Sequence, residues 1–156
     1  MNIRSRDKFN KIEIHNYLVE HLNDKIGELK KLLETLYLST SDVAKSSAGD
    51  KHETAVSMAQ LEQEKIVNQY NSLLHLKEIL LRISTSETND RVKLGSFIET
   101  DKGNLYISIG LGTIEMTDLK FNAISNQAPI SKLLIGKKVG DEVTFNNQTT
   151  KIIQLY

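Results

Sequence analysis

The chain reads as an α+β protein: an N-terminal antiparallel helical hairpin (a coiled coil) followed by a small antiparallel β domain with one short helix. Three observations predict this class. The first 91 residues hold no proline and only two glycines, Gly27 and Gly49, whereas the remaining 65 hold six glycines and Pro129. Punctuation of that kind separates helix from strand and turn. Leucine and isoleucine recur at helical spacing in the first part, and short β-type runs alternate with turn residues in the second.

The first helix is marked by Ile14, Leu18, Leu22, Ile26, Leu29, Leu33 and Leu36, and the second by Ala55, Met58, Ala59, Leu61, Ile66, Tyr70, Leu73, Leu76, Leu80 and Ile83. Spacings of three and four lay a narrow apolar stripe along one face of each helix. Neither helix buries its own stripe, so each covers the other in an antiparallel hairpin. Helix two, taken as 53–84, spans about 48 Å at 1.5 Å per residue, and 15–46 of helix one pairs with it. Apolar periodicity stops between them, in SSAGDKHET at 46–54, which becomes the tip. Because both stripes are paired within the chain, a monomer is expected.

Polar STSETND at 84–90 ends the helical part. The expected division is a hairpin over 1–86 with its tip near 47–54, a linker over 87–91 and a β domain over 92–156. Strands are predicted in VKLGSFIE, LYISIGLG, FNAIS, VTF and TKIIQLY, with hairpin turns at Asp101-Lys102-Gly103-Asn104, Gly140-Asp141 and Asn146-Asn147. Pro129 suits the first position of a short helix filled by Ile130 to Ile135, and Gly136 suits the left-handed position that ends it.

Composition excludes several functions. Twenty basic residues balance twenty acidic ones, twelve of each up to Arg82 and eight of each beyond. No bulk field therefore draws the chain to nucleic acid or anionic lipid, and only Arg4, Arg6, Lys8 and Lys11 hint at a basic stripe. Cysteine is absent, which removes disulfides, thiolate metal sites and thiol nucleophiles. His15, His21, His52 and His75 form no metal-ligand spacing. No apolar run approaches the roughly 18 residues of a membrane span, the N-terminus has no apolar signal core, and a cytoplasmic protein is expected.

Asp50 and Glu53 are the candidate site. Asp-x-x-Glu at a helix start is close to a capping box, with both charges at the positive end of the helix dipole. Two carboxylates three apart on one helix face also jointly hold a hard cation such as Mg²⁺, weakly unless a partner completes the ligand set. The readings are compatible, because a cap that stiffens the tip also preorganises its carboxylates. Lys45 and Lys51 flank the tip, where they solvate a helix end or touch phosphate; His52 reads as a solvated loop residue.

Two segments carry a family resemblance. Gly49-Asp50-Lys51-His52-Glu53, followed by Ala55, resembles the hairpin tip of the GreA/GreB transcript-cleavage factors. SNQAPISKLLIGKKVGDEVTF, residues 125–145, resembles the signature of their C-terminal domain and is the more specific match. The resemblance implies an FKBP-like β domain and an accessory role at bacterial RNA polymerase, not an enzyme in its own right. By analogy the hairpin enters the polymerase's secondary channel when the RNA 3′ end has backtracked into it. Asp50 and Glu53 then help hold a catalytic Mg²⁺, shared with polymerase, for cleavage of that RNA. The resemblance also implies polymerase contacts from Ser125, Pro129, Ile130, Leu134, Gly136 and Lys137.

Other readings stay open. A relative that occupies the channel without stimulating cleavage keeps the fold and loses the chemistry. A coiled-coil adaptor would have no need for an exposed acidic pair. A peptidyl-prolyl isomerase would need an aromatic-lined pocket built from Phe97, Tyr106, Phe121, Phe145 and Tyr156.

Overall fold

The computed structural model describes residues 9–45, 49–87 and 90–156, without the side chains of 43, 44 and 50. Arg4, Arg6 and Lys8 of the basic run, tip residues 46–48 and linker residues 88–89 lie outside that description. Two long helices come first, α1 (Lys11–Lys45) and α2 (Gly49–Leu81). Then follow β1 (Phe97–Thr100), β2 (Gly103–Ser108), β3 (Gly112–Met116), β4 (Leu119–Ser125), α3 (Pro129–Leu134), β5 (Glu142–Phe145) and β6 (Gln148–Leu155). Among the described residues no helix is long and apolar enough to cross a membrane.

The chain forms two compact units that do not coincide with its helical and β halves. One is the hairpin shaft, Val19–Glu78; the other joins Ile79–Tyr156 to the segment that ends at Leu18. The feet of both helices thus belong with the β strands.

In the β unit the six strands lie in the order β3-β4-β2-β1-β6-β5. Four pairings are antiparallel, but β2 and β4 run parallel, with Tyr106 opposite Ala123. The sheet is thus mostly antiparallel, as expected, with one parallel pair in it. The cause is β3, which the strand pattern missed. It returns the chain along β4's outer side, so β4 itself comes to lie beside β2 in the same direction. Phe145 and Gln148 close a two-residue hairpin in which Asn146 and Asn147 both take positive φ, 50° and 61°. Asparagine tolerates that left-handed pair, which matches the twist of the flanking strands.

Side chains alternate across the sheet, so each face has its own filling. Ile98, Ile107 and Ile152 cluster with Val92, Val143 and Leu134 of α3, all buried. The other set is aromatic. Phe97, Tyr106 and Phe121 are fully buried, with ring centroids 5.7 Å apart for Phe97–Phe121 and 6.4 Å for Tyr106–Phe121. Phe9 and Tyr156 add edge and tilted contacts to Phe97. Rings offset in this way favour one another through their quadrupoles as well as by area.

The foot of α1 is fixed to this unit by polar contacts. His15 Nδ1 and the Tyr106 hydroxyl lie 2.7 Å apart, both residues buried. The Tyr17 hydroxyl donates to the Glu115 carbonyl at 2.9 Å, and Lys11 Nζ donates to the Glu87 carbonyl at 2.7 Å. Glu87 also pairs with Lys93. Burial lowers the His15 pKa and raises that of Tyr106, so both groups are neutral near pH 7.

Candidate functional site

The shaft is a two-helix seam. Among residues 19–78, the buried or half-buried positions of α1 include Leu22, Ile26, Leu29, Leu33, Leu36 and Thr40. Those of α2 include His52, Val56, Ala59, Gln63, Ile66, Tyr70, Leu73 and Lys77. Both sets alternate spacings of four and three, the seven-residue repeat of a coiled coil. The α2 stripe differs from the expected one toward the tip. Met58 and Leu61 are each 67% exposed and Ala55 is exposed, while Val56 and Gln63 take the seam. Counting back from Ile66 by three and four reaches Gln63, Ala59 and Val56; matching apolar residues reaches Leu61 and Met58 on the outer face. The heptad, not the hydropathy, sets the face here.

At the tip Gly49, with φ +52°, makes the left-handed turn into α2, a conformation glycine adopts without a Cβ clash. Helix α2 is under way from Gly49 rather than from residue 53. Asp50 and Glu53 therefore both stand in its first turn, one helical turn apart. Glu53 and Lys51 are exposed, and so is Lys45 at the end of α1. His52 is half-buried at a seam position rather than a solvated loop residue. In general, two carboxylate residues three apart in a helix can offer hard oxygen donors on one face, a spacing that suits Mg²⁺. They are too few to enclose it, so the remaining ligands would come from another molecule.

The segment over 125–145 is a braced loop–helix–loop. Pro129 stands at the first position of α3, and the Ser131 hydroxyl, fully buried, donates to the Ser125 carbonyl at 2.6 Å. The Gly136 amide donates to Val92 O at 2.8 Å, and the Val92 amide to Lys137 O at 2.8 Å. Gly136 takes φ +83°, the left-handed stop of the helix. Leu134 is buried in the core and Ile130 packs against it, so these two hold α3 in place. Pro129 and Lys137 are exposed, and Ser125 is half-buried. The exposed apolar side chains are Leu133, Ile135 and Val139, which the sequence reading passed over. Leu133 and Ile135 flank the inward Leu134.

A two-helix hairpin with an acidic pair in the first turn of its second helix, followed in the chain by a braced β unit, defines an α+β class of protein. Residues 87–155 match the family model for the C-terminal domain of the transcription elongation factors GreA/GreB. Over 134 residues, 80% of this chain and 83% of the relative, it is 33% identical to transcription elongation factor GreA of Mycoplasma capricolum. Over 127 residues it is 31% identical to GreA of Staphylococcus carnosus, covering 80% and 79% of the two chains. The chain belongs to the GreA/GreB family of transcription elongation factors, as a divergent member.

Proposed function

We propose that this chain binds bacterial RNA polymerase in the cytoplasm, passes its hairpin into the secondary channel and stimulates cleavage of backtracked RNA. The observation that carries the reading is the acidic pair in the first turn of α2, in a chain of this family. Asp50 and Glu53 would hold, with carboxylates of the polymerase, one Mg²⁺ beside the nascent RNA 3′ segment. When bound, that ion supplies stabilisation of charge on the attacking and leaving oxygens of phosphodiester hydrolysis. The hairpin's own part is positional: it carries the two carboxylates into a space too narrow for a globular domain. The nuclease is the polymerase, and this chain is an accessory factor acting as one copy.

A second reading rests on the sequence after the pair. Glu53 is followed by Thr54-Ala55-Val56, where the family tip that it resembles carries a second acidic residue and an aromatic one. A channel-occupying regulator without cleavage activity fits that difference. The aromatic pocket of an isomerase does not fit, since Phe97, Tyr106 and Phe121 are buried against one another.

RNA cleavage in stalled, backtracked elongation complexes separates these readings, with Mg²⁺ present and polymerase binding followed in parallel. Wild type is expected to stimulate cleavage; Asp50→Ala/Glu53→Ala is expected to bind equally and lose at least roughly a hundredfold in rate. Binding without cleavage by wild type leaves the regulator. No binding by either protein overturns the polymerase reading.

A further inference from the structure

Among the described residues, two polar side chains of the hairpin seam meet across it in a hydrogen bond where apolar ones were available. Gln63 Nε2 donates to Thr40 Oγ1 at 2.8 Å, and the Thr40 hydroxyl donates in turn to the Leu36 carbonyl at 2.7 Å. Both side chains are half-buried at seam positions. Leu38 and Leu61, each two residues before a member of the pair, are 70% and 67% exposed. Large apolar side chains thus stand outside the shaft at the very turns where its inside is polar.

The rest of the seam specifies register poorly. Leu22, Leu29 and Leu36 repeat at seven residues, so a slip of one heptad lays leucine on leucine. Toward the tip, Val56 and Ala59 are small and discriminate little by shape. Thr40 is the first seam position of α1 that breaks the run, and a heptad slip in either direction parts it from Gln63: a slip that carries the turn toward α1 sets Gln63 against Leu33, and one that carries it toward α2 sets Thr40 against Tyr70. A polar residue at one seam position is the known device for fixing register at some loss of stability.

Register matters here because the two helices share a turn. A slip of one heptad moves the centre of that turn by about three to four residues, half the repeat. Moved toward α2, the turn would take in Asp50 and part it from Glu53, which would be left at the start of the shortened helix.

We infer that Thr40 and Gln63 are positioning residues: their hydrogen bond selects the hairpin register that keeps the acidic pair on α2. The cleavage consequence rests on the function proposed above; the register itself does not. Gln63 to Glu53 is ten residues, about 15 Å of helix, so the pair acts through the shaft and touches no substrate.

The test is the apolar pair Thr40→Val/Gln63→Leu beside the exchange Thr40→Gln/Gln63→Thr. The apolar variant is expected to melt a few degrees higher by its helical circular dichroism, because the seam gains apolar burial. Amide exchange over residues 49–56 should nevertheless speed up in the free protein. Cleavage stimulation should fall roughly tenfold or more at saturating factor, with polymerase affinity unchanged. The exchange variant restores a polar pair and should restore slow exchange and cleavage. A lower melting point for the apolar variant, or unchanged protection of 49–56, overturns the inference. Amide exchange decides it even if wild type proves not to stimulate cleavage, so failure of the functional reading is told apart from failure of this one.

Discussion

The β unit and the hairpin shaft are built from similar residues and bury them very differently. In the β unit Phe97, Ile98, Tyr106, Ile107 and Ile152 are all 0% exposed. In the shaft, over residues 19–78, the buried hydrophobic residues are Leu22 and Ile66 among those described, and the rest of the seam is half-covered. The difference is geometric. A sheet covered on both faces encloses side chains from every direction, whereas two helices cover only the strip where they meet. The shaft therefore has little hydrophobic energy to spare per residue, and its shape depends on pattern more than on mass of core.

Two truncations put that comparison to the test first. Leu134→Ala should cost the β unit about 2–5 kcal/mol, the range for emptying a closed core, in equilibrium denaturation. Ile66→Ala in the shaft should cost clearly less and speed amide exchange in the hairpin, leaving the β transition in place. Equal losses from both would break the contrast.

Gly95 probes the closed packing from the other direction. It has φ +89°, and a Cβ there would stand 2.8 Å from Ile83 Cγ2 and 3.3 Å from the Ser84 carbonyl oxygen. Gly95→Ala should destabilise by about 2–4 kcal/mol, from left-handed strain plus overpacking. Gly27, in the shaft, has nothing within 4 Å of its added Cβ. Gly27→Ala should be neutral or stabilising by about 0.5–1 kcal/mol, a helix-propensity gain read from the same denaturation curves.

The smallest effect concerns acid. Burial lowers the His15 pKa below that of the unfolded chain, because the charged ring is poorly solvated beside Tyr106. The folded form therefore binds its proton less readily than the unfolded form. His15's contribution is complete above its unfolded value of about 6.5 and is lost as pH falls through the folded value. His15→Gln should flatten that part of a stability–pH curve while leaving the neutral-pH fold. An unchanged slope would mean that the helix foot opens before it titrates.

Much of this architecture was legible in the sequence. The glycine–proline division, the α1 stripe, the turns at Asn146-Asn147 and Asp101-Lys102-Gly103-Asn104 and the Pro129–Gly136 helix all depend on local chemistry, which a sequence displays. The missing pieces are those set by partners distant in the chain. Strand β3, GTIEM, is short and edge-lying, with only Ile114 buried, so it has a weak pattern of its own. The parallel β2–β4 pair follows from it. The α2 stripe went astray near the tip because Leu61 and Met58 look like core residues until the seam is counted from Ile66. At the candidate site the Asp50–Glu53 spacing could be read directly. The helical start at Gly49, the seam position of His52 and the Thr40–Gln63 bond could not, since each needs the opposite helix.

One arrangement bears on how the chain comes into being. The foot of α1 finds its partners late: Lys11 waits 76 residues for Glu87, His15 waits 91 for Tyr106, and Tyr17 waits 98 for Glu115. The shaft needs only its own neighbours across a short turn. On a ribosome the hairpin's pairing partners emerge first, while the segment below it has nothing to dock against. Loop closure over those long separations is slow relative to local helix pairing. The paired helices are thus the part of the molecule whose contacts are available earliest, and the start of α1 finds its partners only after Glu87, Tyr106 and Glu115 have left the tunnel.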